Sequence, residues 1–243
     1  MAVANVSSAV QDYAKAIYAL QSREGRAVST NALAARLGVT AASASGMVKK
    51  LAELGLVDHV PYRGVDLTPA GERMALEVLR RHRLLELFLS ELLDMPWDRV
   101  HDEADILEHA LSAELEEVIA AKLGDPTRDP HGDPIPTSEL AIEEAQTHSL
   151  ESLAPGDRGT FVRVSDSDPR MLRYLADRGI TPPCRLEVVD RQPFGGPLSV
   201  RFAEMLHPIG GELARAMRVE LDPARRQQRG TPKTPAPASK VSR

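Results

Sequence analysis

The chain has 243 residues, of which 42% are apolar and only 4% aromatic, and its formal net charge is −5. One cysteine, Cys184, excludes an internal disulfide and a thiolate metal cage. The longest apolar runs fall short of the ~18 residues that span a bilayer, and the N-terminus lacks a secretory signal pattern. We therefore expect a cytoplasmic protein with aliphatic cores, no membrane contact and more than one domain.

The charge is unevenly distributed along the chain. Residues 1–75 carry a net charge of +2, residues 76–150 carry −12, and residues 151–243 carry +5. An acidic middle between basic ends indicates a cation-binding centre, with nucleic-acid contact confined to a terminus.

The N-terminal segment has the pattern of a winged helix-turn-helix. Ser7 or Ser8 begins a helix, a second short helix stops at Gly38, and Thr40 opens a third that runs to Gly55. Two β-prone runs follow around a turn at Arg63 and Gly64, which predicts a hairpin wing.

Small hydroxyl residues early in the third helix allow close approach to phosphates and base edges, and nearby cations supply affinity for DNA. The candidate DNA-binding residues are Thr40, Ser43, Ser45, Lys49, Lys50 and Arg63. The alternative is a protein-binding module on which Lys49 and Lys50 are ordinary surface lysines.

The acidic middle contains two sets of histidine and carboxylate at helical spacing. A long helix from Pro69 to Leu93 carries His82 and Glu86, and a second helix is predicted from His101 to His109. On that second helix Asp105, Glu108 and His109 share one face with His101. Crowded carboxylates are unfavourable unless positive charge lies between them, so the pattern predicts a divalent metal. The alternative is a solvated charged face.

Apolar residues on the long helix cover more than one face, from Leu84 to Leu93. This breadth indicates burial against a second subunit as well as the core. We expect a homodimer, which suits a palindromic operator in double-stranded DNA.

The chain resembles the diphtheria-toxin-repressor family of metal-dependent transcriptional regulators over nearly its whole length. The residues that carry the likeness are the winged helix-turn-helix, His-Arg-Leu-Leu-Glu at 82–86, Val-His-Asp-Glu-Ala-Asp-Ile-Leu-Glu-His at 100–109, and Gly-Asp-Pro-Ile-Pro at 132–136. The stretch at 100–109 is the most specific of these.

The resemblance implies two metal sites. The main site would use Asp12, Asp105, Glu108 and His109, and the ancillary site His82, Glu86 and His101. The family's manganese branch has Asp at the position of Asp12, where the iron branch has Met. One departure from the manganese pattern is Lys15, which stands where that branch often has Glu. Oxygen and imidazole ligands suit Mn²⁺, with Fe²⁺ as the alternative.

The C-terminal segment is predicted to begin with a helix over Ser138–Ala145, followed by short strands with Gly and Pro turns. The resemblance implies an SH3-like β-barrel here. Asp168 lies near a position from which some relatives contribute a carboxylate to the ancillary site, and it also suits the cap of a helix that begins at Pro169.

The predicted fold is mainly α with small β parts. We divide the chain into a winged helix-turn-helix domain (1–73), a helical metal-binding and dimerisation domain (74–142), a linker (143–150), an SH3-like domain (151–222) and a disordered basic tail (223–243).

The function implied is a manganese-dependent homodimeric repressor of metal-uptake genes, without enzymatic activity or a small organic substrate. An iron-dependent repressor is the first alternative. A metallohydrolase and a metal-independent architectural DNA-binding protein are the others, but the sequence offers no nucleophile motif or phosphate loop, and the second would leave the acidic clusters unexplained.

Overall fold

A computed structural model of the protein describes residues 6–25, 27–60 and 64–223. The chain divides into two units, Met1–Glu144 and Ala145–Arg243. Arg63, a predicted DNA contact, and residues 224–243 of the predicted tail lie outside the described residues.

The first unit begins with three helices and a hairpin: α1 (Ser8–Glu24), α2 (Thr30–Leu37), α3 (Ala41–Glu53), β1 (Val57–Val60) and β2 (Gly64–Leu67). Ser29 caps α2 by accepting a hydrogen bond from the Ala32 amide, and Gly38 ends that helix at a φ of 65°. Thr40 then caps α3 through the Ser43 amide. Because the turn between α2 and α3 is so short, the pair forms the predicted helix-turn-helix, with β1 and β2 as its antiparallel wing.

A single apolar core holds these elements together. Ile17 of α1, Leu33 of α2, Val48 and Leu51 of α3 and Val65 of β2 are fully buried in it. The position of α3 is therefore fixed from its apolar side, which leaves its polar side exposed to solvent.

Helix α4 (Pro69–Leu93) continues from this core into the second half of the unit. Thr68 caps it by accepting from the Gly71 amide while its hydroxyl donates to the Gly55 carbonyl. Met74 and Ala75 pack in the first core, whereas Leu84, Leu85 and Leu87 pack in a second core. The predicted boundary between residues 73 and 74 falls inside this one helix.

Replacement of Gly71 by alanine is expected to destabilise the protein. A Cβ atom at this position would lie 1.9 Å from the Leu56 carbonyl oxygen, which is backbone and has little freedom to retreat. Overpacking of this kind costs about 1–3 kcal/mol. Urea unfolding of Gly71→Ala should show a loss of that size. Gly46→Ala in α3 is the matched control, because its Cβ meets nothing within 4 Å and alanine favours a helix by about 0.5–1 kcal/mol. Equal effects of the two substitutions would contradict the packing argument.

The second core is completed by α5 (Val100–Leu107), α6 (Ala113–Lys122) and a loop over residues 125–137. Arg80 and Arg81 of α4 both bind the Glu116 carboxylate of α6 at 2.9 Å. Arg80 and Arg83 also donate to the carbonyls of Pro136 and Pro134. These bonds hold the loop against α4.

Helices α3 and α5 each end two residues before their predicted ends, and one further predicted helix is absent. Helix α5 ends at Leu107, and Glu108 to Ala110 form a turn rather than its last residues. The helix predicted over Ser138–Ala145 is absent. Instead, Thr137 and Ala141 exchange hydrogen bonds across a tight turn with Leu140 at a φ of 65°. None of residues 137–145 is buried, and so short a helix is marginal without tertiary packing.

The second unit is a small β-domain. Its strands are β3 (His148–Ser149), β4 (Arg158–Val164), β5 (Cys184–Arg191), β6 (Leu198–Phe202), β7 (Met205–Ile209) and β8 (Met217–Leu221), with α7 (Pro169–Ala176) and α8 (Gly211–Ala216) between them. The strands form one antiparallel sheet in the order β3-β8-β4-β5-β6-β7. Phe161, Val188, Val200 and Met217 lie in its core. Helical domains followed by a small β-domain confirm the predicted fold class.

Candidate metal centre and DNA-binding surface

The predicted metal ligands of α4 and the start of α5 form one cluster. His82 and Glu86 are buried one turn apart on α4, and His82 Nε2 lies 3.1 Å from Glu86 Oε1. His101 of α5 places Nδ1 3.1 Å from both of these atoms. Because α4 and α5 pack side by side, residues 15 or more positions apart meet here. We call these three residues the α4 cluster.

The remaining predicted ligands form a second cluster, which joins α1 to the end of α5. Asp12 of α1 lies 2.9 Å from His109 Nε2, and Glu108 Oε1 lies 3.5 Å from the same nitrogen. One ligand atom from each of these three residues lies within 4.8 Å of the others, and the same holds for His82, Asp105 and Glu108. We call Asp12, Asp105, Glu108 and His109 the α1–α5 cluster.

Lys15 occupies the middle of the α1–α5 cluster. Its ammonium donates to Asp105 Oδ1 at 2.8 Å and to both oxygens of Glu108 at 2.7 and 2.8 Å. Asp12 lies one turn earlier on the same face of α1. The electrostatic requirement for positive charge between the carboxylates is therefore met by a side chain of the protein itself. The sequence showed Lys15 as a departure from a pattern but did not indicate that it reaches α5.

His82 connects the two clusters through its two ring nitrogens. Nδ1 lies 2.6 Å from Glu108 Oε2, while Nε2 faces Glu86. Burial disfavours a charged imidazole, but Glu86, Asp105 and Glu108 outweigh it and raise the pKa of His82 well above its ordinary value. The imidazolium form donates from both nitrogens, so it satisfies a carboxylate on each side.

The acidic partners respond to this positive charge. Burial would raise the pKa of Glu86, but His82 and His101 outweigh it and hold that pKa well below its usual range. Asp105 also has a lowered pKa, because bonds from His82 and Lys15 exceed the effect of its partial burial. Asp12 differs, since burial raises its pKa. Asp105 and Glu86 are therefore carboxylates, and the charge that balances them resides on Lys15 and His82.

The donor set fits a divalent ion of the first transition row. Every candidate ligand offers a carboxylate oxygen or an imidazole nitrogen, a mixture that accommodates Mn²⁺, Fe²⁺ and Zn²⁺. The Lys15 ammonium contacts oxygens of Asp105 and Glu108, so a cationic group already lies between these two candidate ligands.

The five candidate DNA-binding residues that the structure describes lie together on the solvent side of α3. Thr40, Ser43, Ser45, Lys49 and Lys50 are all exposed, whereas Ala44 and Val48 between them face the core. The Thr40 hydroxyl accepts from the Ser43 amide and lies 2.9 Å from the Ser43 hydroxyl. Thr40 therefore fixes the start of α3 as well as being exposed.

Asp168 belongs to the second unit, where it is the N-cap of α7. Its carboxylate accepts from the Arg170 amide at 2.9 Å and forms an ion pair with the Arg170 guanidinium at 2.7 Å. Those bonds lower the pKa of Asp168 to about 2. From the sequence, Asp168 was a candidate for two roles, and these contacts are those of a helix N-cap.

Similarity to known proteins covers most of the chain. An iron-dependent repressor IdeR from Mycobacterium tuberculosis is 30% identical over 220 residues, which cover 86% of this chain and 95% of that protein. A diphtheria toxin repressor from Corynebacterium efficiens is 29% identical over 86% of this chain and 93% of its own length. A solved manganese-dependent transcriptional repressor in complex with manganese is 47% identical, covers 86% of this chain and 98% of its own, and superposes with a TM-score of 0.81.

A winged helix joined to a histidine and carboxylate centre defines a metal-dependent DNA-binding regulator. Family models match each part: the N-terminal DNA-binding domain of iron-dependent repressors at residues 5–65, their metal-binding and dimerisation domain at 68–137, and a FeoA domain at 148–221. The chain belongs to this family of iron-dependent and diphtheria toxin repressors. It is a metal-dependent transcriptional repressor, and its family consists of DNA-binding proteins rather than enzymes.

Within the described residues, no helix is both long and apolar enough to cross a membrane.

Proposed function

We propose that this protein is a cytoplasmic, manganese-dependent repressor of metal-uptake genes that binds a palindromic operator as a homodimer. The observation that carries the proposal is the meeting of Asp12 with His109. Asp12 lies on the first helix of the DNA-binding domain, and His109 follows α5 of the metal-binding domain, yet their side chains are 2.9 Å apart.

The link between metal and DNA follows from this arrangement. A divalent ion that displaces the Lys15 ammonium from the α1–α5 cluster would hold Asp12, Asp105 and Glu108 together with a larger positive charge. Asp12 then restrains α1, and α1 packs on α3 through the N-terminal core. A metal ion held by the cluster therefore fixes the orientation in which α3 presents its exposed face. Metal binding in this way shifts the population of conformers toward the DNA-binding arrangement.

Ligand chemistry supports manganese as the metal. The seven candidate ligands in the two clusters are carboxylates and imidazoles, without thiolate or thioether sulfur, which suits Mn²⁺. The manganese-bound repressor at 47% identity points to the same metal. The iron-dependent repressors among the relatives support Fe²⁺ as the second candidate.

The surface of the metal-binding domain supports a homodimer. Six large apolar side chains there are at least 40% exposed, on the last turn of α4, on α5 and on α6: Leu92, Leu93, Ile106, Leu107, Leu115 and Val118. Exposed apolar side chains in such number are typical of protein–protein interfaces. A two-fold pair of reading heads would match a palindromic site.

The experiment that tests the proposal is retention of genomic DNA fragments by the purified protein. Retention is measured in chelator, with Mn²⁺ and with anaerobic Fe²⁺, at fixed salt because phosphate contacts make affinity salt-dependent. We expect selective retention with Mn²⁺ and none in chelator. A stronger response to Fe²⁺ would assign the protein to iron, and retention indifferent to metal would overturn the proposal.

Asp12→Asn is expected to weaken the metal response without removing DNA affinity. Loss of a residue that only hydrogen-bonds to a metal ligand already costs at least about 10-fold in metal affinity. The Mn²⁺ concentration for half-maximal retention by Asp12→Asn should therefore rise by that factor or more. Glu91→Gln is the control, because Glu91 is an exposed carboxylate of α4 that belongs to neither cluster. An unchanged Mn²⁺ requirement in Asp12→Asn would show that α1 takes no part in metal binding.

A further inference from the structure

A third group of potential ligands lies behind the α4 cluster, in the loop over residues 125–137. Asp129 and His131 of this loop and Glu86 of α4 are all buried, and one ligand atom from each lies within 4.8 Å of the others. The loop is held in place by Arg83, which donates to the Pro134 carbonyl, and by Ile135 in the second core.

The tautomer of His131 is fixed by its surroundings. Nε2 lies 2.7 Å from the Trp97 carbonyl oxygen, and a carbonyl only accepts, so Nε2 carries a proton. The ring stacks on Trp97 with centroids 5.7 Å apart and is completely buried. In the neutral ring, Nδ1 therefore presents a bare lone pair to the protein interior.

That lone pair has no hydrogen-bond partner among the described residues. It faces Glu86 Oε1 at 3.9 Å, which is too long for a hydrogen bond. Two acceptors that face each other in a buried space repel unless a cation lies between them. A separation near 3.9 Å suits two ligands of one ion, since each would lie about 2.1 Å from the metal.

Asp129 adds a second carboxylate to this space. Its Oδ1 accepts from the amides of His131 and Asp133, both at 2.9 Å, while Oδ2 lies 3.8 Å from Arg83 Nε. The first two bonds are local to the loop and orient the carboxylate. Burial and the neighbouring Glu86 and Asp133 carboxylates raise the pKa of Asp129 well above its ordinary value, and Arg83, which also lies 3.5 Å from Asp133, opposes this shift only in part.

We propose that Glu86, Asp129 and His131 form a third binding site for a divalent metal ion of the Mn²⁺ or Zn²⁺ type. Glu86 also belongs to the α4 cluster, so its carboxylate would bridge two ions when both sites are filled. Such an ion clips the 125–137 loop to α4. The site uses no residue of the α1–α5 cluster, so it is separate from the proposed link between metal binding and DNA binding.

Metal counting on the full-length protein tests this site. After equilibrium dialysis against Mn²⁺, bound metal is measured by elemental analysis in wild type, Asp129→Asn and His131→Phe. Asn retains the oxygen that accepts the two loop amides, and Phe retains a ring that stacks on Trp97, so both variants preserve the packing. We expect each variant to bind one Mn²⁺ per chain fewer than wild type.

Electron paramagnetic resonance gives an independent readout. Two Mn²⁺ ions that share the Glu86 carboxylate are magnetically coupled, so wild type should show a coupled signal that both variants lose. His101→Gln, which removes a ligand of the α4 cluster alone, should also lose the coupling but retain metal on His131. Equal metal counts in wild type, Asp129→Asn and His131→Phe would overturn the third site and leave His131 as a buried neighbour of Glu86.

Crystals of wild type soaked in Mn²⁺ decide the question if a variant fails to fold. An anomalous scattering peak within bonding distance of His131 Nδ1 is expected, and peaks confined to the other two clusters would refute the site. DNA retention measured on the same samples separates the two proposals. A wild type that binds the third ion yet ignores Mn²⁺ in DNA retention would refute the proposed function and not this site.

Discussion

Glu108→Gln is expected to abolish metal-dependent DNA retention and to destabilise the metal-free protein. The Glu108 side chain is fully buried between Lys15, at 2.7 Å, and His82, at 2.6 Å. Removing its charge deletes a proposed metal ligand and takes one carboxylate partner from the partly exposed Lys15 ammonium and from the buried His82. Breaking a buried ion pair from one side costs about 3–5 kcal/mol. Thermal unfolding in chelator and DNA retention with Mn²⁺ should both report the loss.

A double variant separates the metal effect from the stability effect. In Lys15→Met with Glu108→Gln, both partners of the buried pair are removed, so much of the stability should return. The Mn²⁺ response should not return, because the carboxylate ligand is still missing. Glu103→Gln, an exposed acid on the same helix α5, is the control for a change of charge alone. Normal Mn²⁺ response in the single variant would remove Glu108 from the metal site.

Lys15→Met is expected to change metal affinity and apo stability in opposite directions. The ammonium contacts oxygens of Asp105 and Glu108, which are two of the proposed metal ligands. Unit charges about 4 Å apart interact by about 4 kcal/mol at an effective dielectric constant of about 20. Loss of the competing cation should therefore tighten Mn²⁺ binding by at least about 10-fold.

In chelator the same variant should be less stable. Glu108 would be left buried with His82 as its remaining cation, and the bonds from Lys15 of α1 to Asp105 and Glu108 would be lost. The expected cost is about 3 kcal/mol, the lower end of the range for a broken buried pair. Isothermal titration with Mn²⁺ and thermal melts in chelator measure the two effects.

Lys15→Arg and Lys122→Met are the controls for this experiment. Arginine retains the charge, so Mn²⁺ affinity should stay near that of wild type, and Lys122 is an exposed lysine of α6. Unchanged or weaker Mn²⁺ binding in Lys15→Met would show that the ammonium does not compete with the metal. That outcome would leave Lys15 as a purely structural tie between the two domains.

Local patterns in the sequence were sufficient for the DNA-binding half of the fold. Ser29 begins α2, Gly38 ends it in a left-handed conformation, and Thr40 begins α3. These signals act within a few residues, so they hold before any tertiary contact forms. The helix predicted at 138–145 failed for the opposite reason, because it has a helical pattern but no packing partner to stabilise it.

The sequence by itself determined which residues are candidate metal ligands in this part of the chain. The spacing of His82 with Glu86 follows from the 3.6-residue period and needs no tertiary information, whereas Glu108 and His109 lie in the turn after α5 and not on the helix with Asp105. The resemblance to a repressor family added Asp12 to that set. The spacing of these residues did not predict their contacts with residues that are distant in the sequence.

Only the tertiary structure decided that Lys15 places its ammonium among the carboxylates, that His82 joins two clusters, and that His131 turns a bare nitrogen toward Glu86. Each of these contacts joins residues 26 to 93 positions apart. Such contacts depend on how α1 and the 125–137 loop pack on α4, and packing is set by the sum of many weak apolar contacts rather than by a local sequence period.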